Sequence, residues 1–328
     1  MNINYNNIIK TITILSFVLL SSTNYAQQLE DSQTFEMKDG TTFTYTKPKF
    51  FDMFRYIPND VYEFGKYTVQ KENLLYTGMA VGGTLALIPF DQKLLDNAQE
   101  LGEPLGLAED VSYTRLLGIE VLPKDINGTI YYIGNGLTPI LLSGGFYISG
   151  KINNDYRALN TSSELIEVLL SSGVSTQIIK RITGRQSPSA AIESGNPGGH
   201  WTPFPSFKAY QTNTPNYDAM PSGHMTTYIA TLTVIATNYP DVKWLKPVGY
   251  TIAGVMAFQM MSSRVHWASD YPFAILMGYV IGKNAANRRI KKEVKRDVTG
   301  EIIEPRFKTN FTFSSHSGYN MAGVVITF

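Results

Sequence analysis

The chain contains no cysteine among its 328 residues. This absence excludes disulfide bonds, cysteine-ligated metal sites, cysteine nucleophiles and a lipid anchor on cysteine. An excess of charge of either sign is also lacking, since 28 lysine and arginine residues face 27 aspartate and glutamate residues. The chain therefore offers no electrostatic case for binding nucleic acid. With four histidines and scattered carboxylates, it has few ligands to spare for a metal site, and we expect none.

Residues 1–26 differ from the rest of the chain. One lysine, Lys10, precedes the apolar run TITILSFVLL, and small polar residues lead to Ala26. This pattern predicts a secretory signal peptide that is cleaved near Ala26. An uncleaved membrane anchor is the alternative, but roughly ten apolar residues are too few to span a bilayer. We therefore expect an exported protein, periplasmic or associated with the cell envelope.

The remaining chain divides into three parts by pattern. Residues 27–68 form an N-terminal extension in which polar and apolar residues alternate around Asp39-Gly40, which predicts a β-hairpin. Residues 69–296 contain several apolar segments of helix length, and residues 297–328 alternate again, which predicts a C-terminal hairpin tail. The expected fold class is mainly α, a compact helical bundle with short terminal β-hairpins.

The apolar segments allow two interpretations. They are either the buried helices of a soluble bundle or the spans of a membrane protein. Spans need about 20 apolar residues, and here Gly, Pro, Asn or Lys interrupts each run earlier. This favours the soluble bundle, with peripheral contact to a membrane surface left open. Residues 189–220 lack such periodicity and are expected to be a long irregular loop that acts as a lid or specificity surface.

Two polar stretches predict an anion site. In KRITGRQSP, Gly184 is expected to end a helix that carries Lys180 and to place Arg185 in the following turn. In PSGH, Ser222 is a good N-cap, so the N–H groups near Gly223 would point outward at the positive end of a helix. His224 would then lie on the first turn, beside the bound anion.

A third stretch, SRVHWASD, places His266 four residues before Asp270. On a helix these side chains face the same way, so the carboxylate can hold one ring nitrogen and leave the other free.

Taken in order, these stretches resemble the type 2 phosphatidic acid phosphatases, which share a fold with vanadium haloperoxidases. The family pattern is Lys-x6-Arg-Pro, then Pro-Ser-Gly-His, then Ser-Arg-x5-His-x3-Asp. The chain supplies Lys180 and Pro188 at the family spacing, the whole of PSGH, and His266 with Asp270. The resemblance covers roughly residues 110–290.

Two positions depart from the family pattern. Ser187 replaces the arginine before Pro188, and Met260 stands where the family has an arginine six residues before its histidine. The nearest arginine to that place is Arg264. Positions 260 and 264 are one turn apart on a helix, so a long guanidinium could cover the offset if the segment is helical.

The resemblance implies a metal-independent phosphatase that hydrolyses phosphate monoesters or pyrophosphates. His266, held by Asp270, would form a phosphohistidine, and His224 would protonate the leaving group. The groups expected to contact phosphate are Lys180, Arg185, Ser222, Gly223 and Arg264. The substrate is a lipid phosphate or a small soluble ester, no cofactor is expected, and vanadate should inhibit.

Two other functions remain open. A vanadium-dependent haloperoxidase would hold vanadate as a cofactor on His266. A degenerate protein that binds phosphate without turnover is the second alternative, motivated by Ser187 and Met260.

Overall fold

The structure is a computed structural model that describes residues 31–108, 111–116, 119–294, 308–316 and 319–327. The predicted signal peptide lies outside the described residues. The predicted fold class is confirmed, because helices dominate and the strands are few and short.

The helices follow one another through most of the described chain, with short 3₁₀ turns between several of them. They are α1 Asp52–Arg55, α2 Ile57–Val69, α3 Leu74–Leu87, α4 Asp91–Gly102, α5 Ile126–Ile133, α6 Leu137–Ile152, α7 Tyr156–Thr183, α8 Pro188–Glu193, α9 Phe207–Thr212, α10 Gly223–Asn238, α11 Leu245–Ser262 and α12 Tyr271–Arg289.

The strands form three small sheets. They are β1 Ser32–Glu36, β2 Thr42–Thr46, β3 Tyr113–Leu116, β4 Ile119–Pro123, β5 Lys291–Glu293, β6 Lys308–His316 and β7 Tyr319–Thr327. Both predicted terminal hairpins are present. The first turns at Gly40, whose φ of 78° suits glycine, and β2 also pairs antiparallel with β5, which follows α12. The second pairs β6 with β7 in register from Lys308↔Thr327.

The long helix α7 organises the bundle. Asp155 caps its start by accepting the N–H of Ala158 at 2.9 Å. Gly184 follows its last residue with φ 55°, and a Cβ there would lie 1.8 Å from the carbonyl oxygen of Thr202. Only glycine fits this close approach, so the predicted helix end is present at Gly184.

The main core lies where α7, α10 and α12 meet. Each helix contributes apolar side chains that are fully buried, and they include Leu165, Val168, Ala230, Val234, Met277 and Ile281. Burial of such side chains supplies most of the stabilisation of a helical bundle. This core therefore fixes α7 and α10, the helices that carry Lys180 and His224.

Buried helices do not explain every apolar segment. The interpretation holds for α10 and α12, but α3 exposes Leu75, Met79 and Leu85 by 60–70 % of their surface. The stretch Lys71–Leu105 contains α3, α4 and the 3₁₀ turns beside them. Within the described residues, it is the one helical stretch whose length and composition would allow it to cross a membrane. Only 11 % of its most apolar window is buried. The expectation that the apolar segments are all buried is wrong for this part of the chain.

The expected irregular loop at 189–220 is also more ordered than predicted. It contains the end of α8, the helix α9 and a 3₁₀ turn at Thr214–Asn216. Ser187 and Ser206 cap α8 and α9. Short helices of this kind lack a long hydrophobic period, so a pattern search does not reveal them.

Candidate active site

The end of α7 brings Lys180 to a cavity of about 630 Å³. The lysine lies in the last turn of the helix, and its Nζ is 3.6 Å from Oδ2 of Asp218. Both side chains line the cavity. The cation that the sequence predicted is therefore present, with a carboxylate partner that the sequence did not indicate.

The start of α10 brings His224 to the same cavity. Ser222 is the N-cap, and its side chain accepts the N–H of Met225 at 3.3 Å. The imidazole of His224 lies on the first turn, with its ring centroid 4.4 Å from that of Tyr131 on α5. Gly223 and His224 line the cavity. Ser222 does not, because its side chain is fully buried and its own N–H donates to the carbonyl of Asp270. The prediction that Ser222 contacts phosphate is corrected: it caps the helix.

His266 and Asp270 meet without the predicted helix. Helix α11 ends at Ser262, and a 3₁₀ turn at Ala268–Asp270 leads into α12. The carboxylate of Asp270 folds back, so its Oδ2 accepts the N–H of Trp267 at 2.9 Å and lies 3.4 Å from Nδ1 of His266. The pair forms through a turn, and the helical spacing argument is wrong.

Arg264 reaches the cavity by a different route from the one predicted. Its backbone is left-handed, with φ 59°, immediately after α11. Met260 is fully buried and packs with Met225, Ile229 and Met256 in a core cluster. The argument from one helical turn fails because residue 264 is outside the helix. The turn nevertheless puts Arg264 among the residues that line the cavity.

The two imidazoles converge. The ring centroids of His224 and His266 are 5.8 Å apart, with the ring planes at 70°. Lys180 and Arg264 supply positive charge to the same cavity. Hydroxyl groups line much of its wall, from Thr176, Ser187, Ser189, Thr227 and Ser263. The site therefore combines two histidines, two cations, the carboxylate of Asp218 and several hydroxyl groups.

Arg185 occupies a different position from the predicted one. Its side chain is fully buried, and its guanidinium donates to Asp270 Oδ1 at 2.6 Å and to Asp91 Oδ2 at 2.5 Å. The indole rings of Trp201 and Trp267 lie against it, with centroids at 4.7 and 5.4 Å from Cζ. It does not line the cavity. The prediction that Arg185 contacts phosphate is corrected: it binds the carboxylate that holds His266.

The surroundings of His224 and Asp270 shift the pKa values of both side chains and so set their protonation states at neutral pH. Burial, with the nearby charges of His266 and Lys180, lowers the pKa of His224 to about 3. For Asp270, burial opposes ionisation, but Arg185 and the hydrogen bonds from His266 and Trp267 hold the pKa below its ordinary value. Asp270 is therefore a carboxylate at neutral pH, and His224 is a neutral imidazole.

Three residues of the site have no signal in the sequence. Tyr131 lies in an apolar helical segment, Asp218 in the expected loop, and Asp91 at the start of α4. Each joins the site through a contact with a residue far away along the chain, so local pattern does not reveal it.

Within the described ranges, no three histidine, aspartate or glutamate side chains group in a way that could hold a metal ion.

Comparison with known proteins bears on this arrangement. Residues 163–293 match the family model of the PAP2 superfamily. The predicted resemblance is confirmed. All three sequence motifs lie inside this PAP2 segment, whereas Asp91 and Tyr131 lie before it.

A solved structure is also similar. It is a transmembrane PAP2-type phosphatidylglycerolphosphate phosphatase from Bacillus subtilis, with 14 % identity over 71 % of this chain and 96 % of that chain, and a TM-score of 0.41. No curated protein sequence matches the chain.

Proposed function

We propose that the protein is a phosphatase that transfers a phosphoryl group to His266 and then to water, without a metal ion. The observation that carries the proposal is the pair of imidazoles 5.8 Å apart across one cavity with Lys180 and Arg264. The match of residues 163–293 to the PAP2 superfamily model supports a phosphatase-type activity. A separation of 5.8 Å between the ring centroids suits one tetrahedral phosphoryl group between the two imidazoles.

The first step forms the phosphohistidine. Nδ1 of His266 lies 3.4 Å from Oδ2 of Asp270. Because Asp270 is a carboxylate and can only accept, the proton of the imidazole belongs on Nδ1, and Nε2 is the nitrogen left to attack phosphorus. The N–P bond forms while the P–O bond to the leaving group breaks, and His224 donates a proton to the departing oxygen. Lys180 and Arg264 balance the charge of the phosphoryl oxygens, which is the main requirement of such a transition state.

The second step restores the enzyme. His224, now neutral, takes a proton from water while the water oxygen attacks phosphorus and the N–P bond breaks. Inorganic phosphate leaves with the oxygen from water. Because its pKa is lowered to about 3 in the empty site, His224 must gain its first proton together with the anionic substrate. Burial is the main cause of the low pKa, and the charges of His266 and Lys180 add to it. A bound phosphate places negative charge beside the ring and so raises the pKa.

The surroundings of the cavity support a lipid phosphate as the substrate. A second groove runs along α7 beside the cavity, and Gly173 and Gln177 line both. Its floor is apolar, with Val174, Ile178 and Ile182 exposed by 42–45 %. A hydrocarbon chain attached to a phosphate in the cavity could lie along this groove. A small soluble ester would use the cavity alone.

We also propose a location at the cell envelope. The exposed apolar face of α3 and the length of the stretch Lys71–Leu105 support contact with a membrane. Residues 1–26 support export with cleavage near Ala26, which the N-terminal sequence of the mature protein would test.

Two alternatives predict different chemistry in the same cavity. A haloperoxidase would need vanadate as a cofactor on His266, held by a fuller set of cations than the lysine and arginine that line the cavity. It predicts halide oxidation by peroxide in the presence of vanadate. A non-catalytic binding protein predicts phosphate binding with no turnover.

The test is hydrolysis of a chromogenic phosphate ester in EDTA by wild type, His266→Ala and His224→Ala. We expect chelator-resistant activity, inhibition by vanadate, and loss of about 10³-fold or more in each variant, because removal of a nucleophile or a proton donor has effects of this size. His200→Ala is the matched control, since His200 is exposed and does not line the cavity. Activity that survives His266→Ala, or that EDTA abolishes, would falsify the mechanism.

The same assay distinguishes the substrates. Ile178→Ser should raise KM for a long-chain lipid phosphate about three- to tenfold, because it removes apolar contact with the chain. It should leave KM for a short soluble ester unchanged. Ile148→Ser is the control, since Ile148 is exposed on α6 and does not line the groove. Equal effects of both variants, or none, would favour the small ester.

A further inference from the structure

Asp91 is a buried carboxylate that lies before the PAP2 segment and is in contact with Arg185, the partner of Asp270. It is the first residue of α4, and its side chain is fully buried. Its Oδ2 accepts from Arg185 Nη2 and from the hydroxyl of Ser269, both at 2.5 Å, and its Oδ1 accepts the N–H of Ser269 at 3.0 Å. Ser269 is next to Asp270 in the chain, so Asp91 holds both the backbone and the cation beside that carboxylate.

Arg185 connects Asp91 to the imidazole. Its Nη1 donates to Asp270 Oδ1 and to the hydroxyl of Ser269, both at 2.6 Å. The other oxygen of Asp270 is then left for His266 and for the N–H of Trp267. Two hydrogen-bonded partners therefore separate Asp91 from the nucleophile proposed above. Asp91 does not line the cavity.

The charges in this chain of contacts do not balance. Two carboxylates, Asp91 and Asp270, share one guanidinium. Asp270 alone would neutralise Arg185, and burial of a second carboxylate is unfavourable unless another positive charge compensates. The phosphohistidine step provides that charge, because attack by Nε2 while Nδ1 keeps its proton makes the ring of His266 positive.

We propose that Asp91 is a positioning residue for the phosphoryl transfer. It engages one side of Arg185, so that Asp270 keeps one oxygen for His266, and it supplies the surplus negative charge that stabilises the positive ring of the phosphohistidine. This inference rests on the proposed function. It assigns a role in the chemistry to the segment that precedes the family match.

The test compares the same substitution at two buried aspartates. Asp91→Asn keeps the size of the side chain and an oxygen for the N–H of Ser269, but removes the charge. We expect kcat to fall about 10- to 100-fold, as when groups that orient a metal-binding histidine are removed, with KM unchanged. The rate at which the acid-labile phosphoenzyme forms should fall by the same factor. Rapid-quench experiments with a ³²P-labelled ester measure this rate.

Asp60→Asn is the matched control, because Asp60 is also fully buried and accepts from an arginine, Arg288, but is not in contact with the site residues. It should lower Tm and leave kcat of the folded enzyme unchanged. If Asp91→Asn behaves like Asp60→Asn, with a lower Tm and normal kcat, Asp91 is only structural and the inference is wrong, although the phosphatase proposal stands. If wild type forms no phosphoenzyme, the phosphatase proposal itself is wrong.

Arg185→Lys keeps the inference testable should Asp91→Asn fail to fold. A lysine retains one buried positive charge but cannot hold two carboxylates in a fixed fork. We expect lower kcat with unchanged KM. A rise in KM and in the inhibition constant for vanadate, with kcat unchanged, would instead mean that Arg185 contacts phosphate, and would overturn the role given to Asp91.

Discussion

Two groups of buried charges differ in the balance between their positive and negative side chains. The closed cluster, Asp60, Glu167, Arg288 and Arg289, joins α2, α7 and α12. The catalytic cluster, Asp91, Arg185, Asp270 and His266, joins α4 to the turn that follows α7 and to the turn that precedes α12. Glu167 of the closed cluster and Lys180, which lines the cavity, both lie on α7, and 13 residues at 1.5 Å each put them about 20 Å apart along the helix.

Among the groups that form its ion pairs, the closed cluster has as many guanidinium groups as carboxyl groups. Arg288 donates to both Asp60 and Glu167, and Arg289 donates to Glu167. It does not line the cavity. The catalytic cluster has one guanidinium for two carboxylates and ends at an imidazole in the cavity. A matched cluster serves the fold, whereas an unmatched one leaves negative charge for a reaction that creates a positive ring.

The largest effect should come from Arg288→Met, which tests the closed half of this contrast. It leaves Asp60 and Glu167 buried without their shared cation, and loss of one partner of a buried pair costs about 3–5 kcal/mol. Urea unfolding should show that loss in the free energy of unfolding, while kcat of the folded fraction stays at the wild-type value.

Lys66→Met is the matched control. Lys66 forms an exposed pair with Glu63 at 3.4 Å, and such pairs contribute at most about 1 kcal/mol. A fall in kcat of folded Arg288→Met would show that the two clusters are coupled along α7 and would break the contrast.

The next effect is a pH dependence of stability at Glu164, which neighbours the closed cluster. Burial raises its pKa to about 7, against the opposing effects of Arg289 and of the hydrogen bond from Asn238. Because the pKa is raised in the folded state, this contribution to stability is complete below the ordinary glutamate pKa. It is lost as pH rises towards and through about 7, since the unfolded chain releases its proton first.

Glu164→Gln should remove this dependence. Between pH 5 and pH 8, the free energy of unfolding of the variant should rise relative to that of wild type by on the order of 2 kcal/mol. Urea unfolding at the two pH values measures this difference. Glu72→Gln, at an exposed glutamate, should change nothing between the two pH values. A constant difference for Glu164→Gln across this range would contradict the raised pKa.

The two clusters also differ in how far the sequence predicts them. Gly184 acts through its own backbone and Ser222 through a side-chain hydrogen bond to a residue three positions on, so their places at the end of α7 and the start of α10 follow from local rules. The partner of Arg185 does not, because Asp91 lies 94 positions earlier. The turn at Arg264 is also unexpected, since φ above zero is uncommon for residues other than glycine.

Composition likewise did not reveal which apolar helices are buried. The residues of α3 and α10 are both apolar on several faces, yet α10 is buried in the core and α3 exposes most of its large side chains. Periodicity shows which face of a helix is apolar. It cannot show whether another helix covers a segment that is apolar all round. The closed cluster had no motif either, since Arg288 and Arg289 belong to a basic run typical of a solvated helix end.

The smallest effect should come from Gly134→Ala, which tests whether kcat depends on the position of His224 in the catalytic site. Gly134 lies between α5 and α6, and a Cβ there would be 2.7 Å from Sδ of Met256 and 2.9 Å from Cβ of His224. The thioether of Met256 can adjust, but His224 also packs against Tyr131 and would have to shift. A displaced proton donor should lower kcat about tenfold, or about 1.4 kcal/mol in the barrier, with little change in Tm. Gly173→Ala is the control, since Gly173 lines the same cavity and a Cβ there meets nothing within 4 Å. If Gly134→Ala lowers Tm and leaves kcat unchanged, the fold absorbs the added methyl group and the place of His224 is less strictly determined than the distances imply.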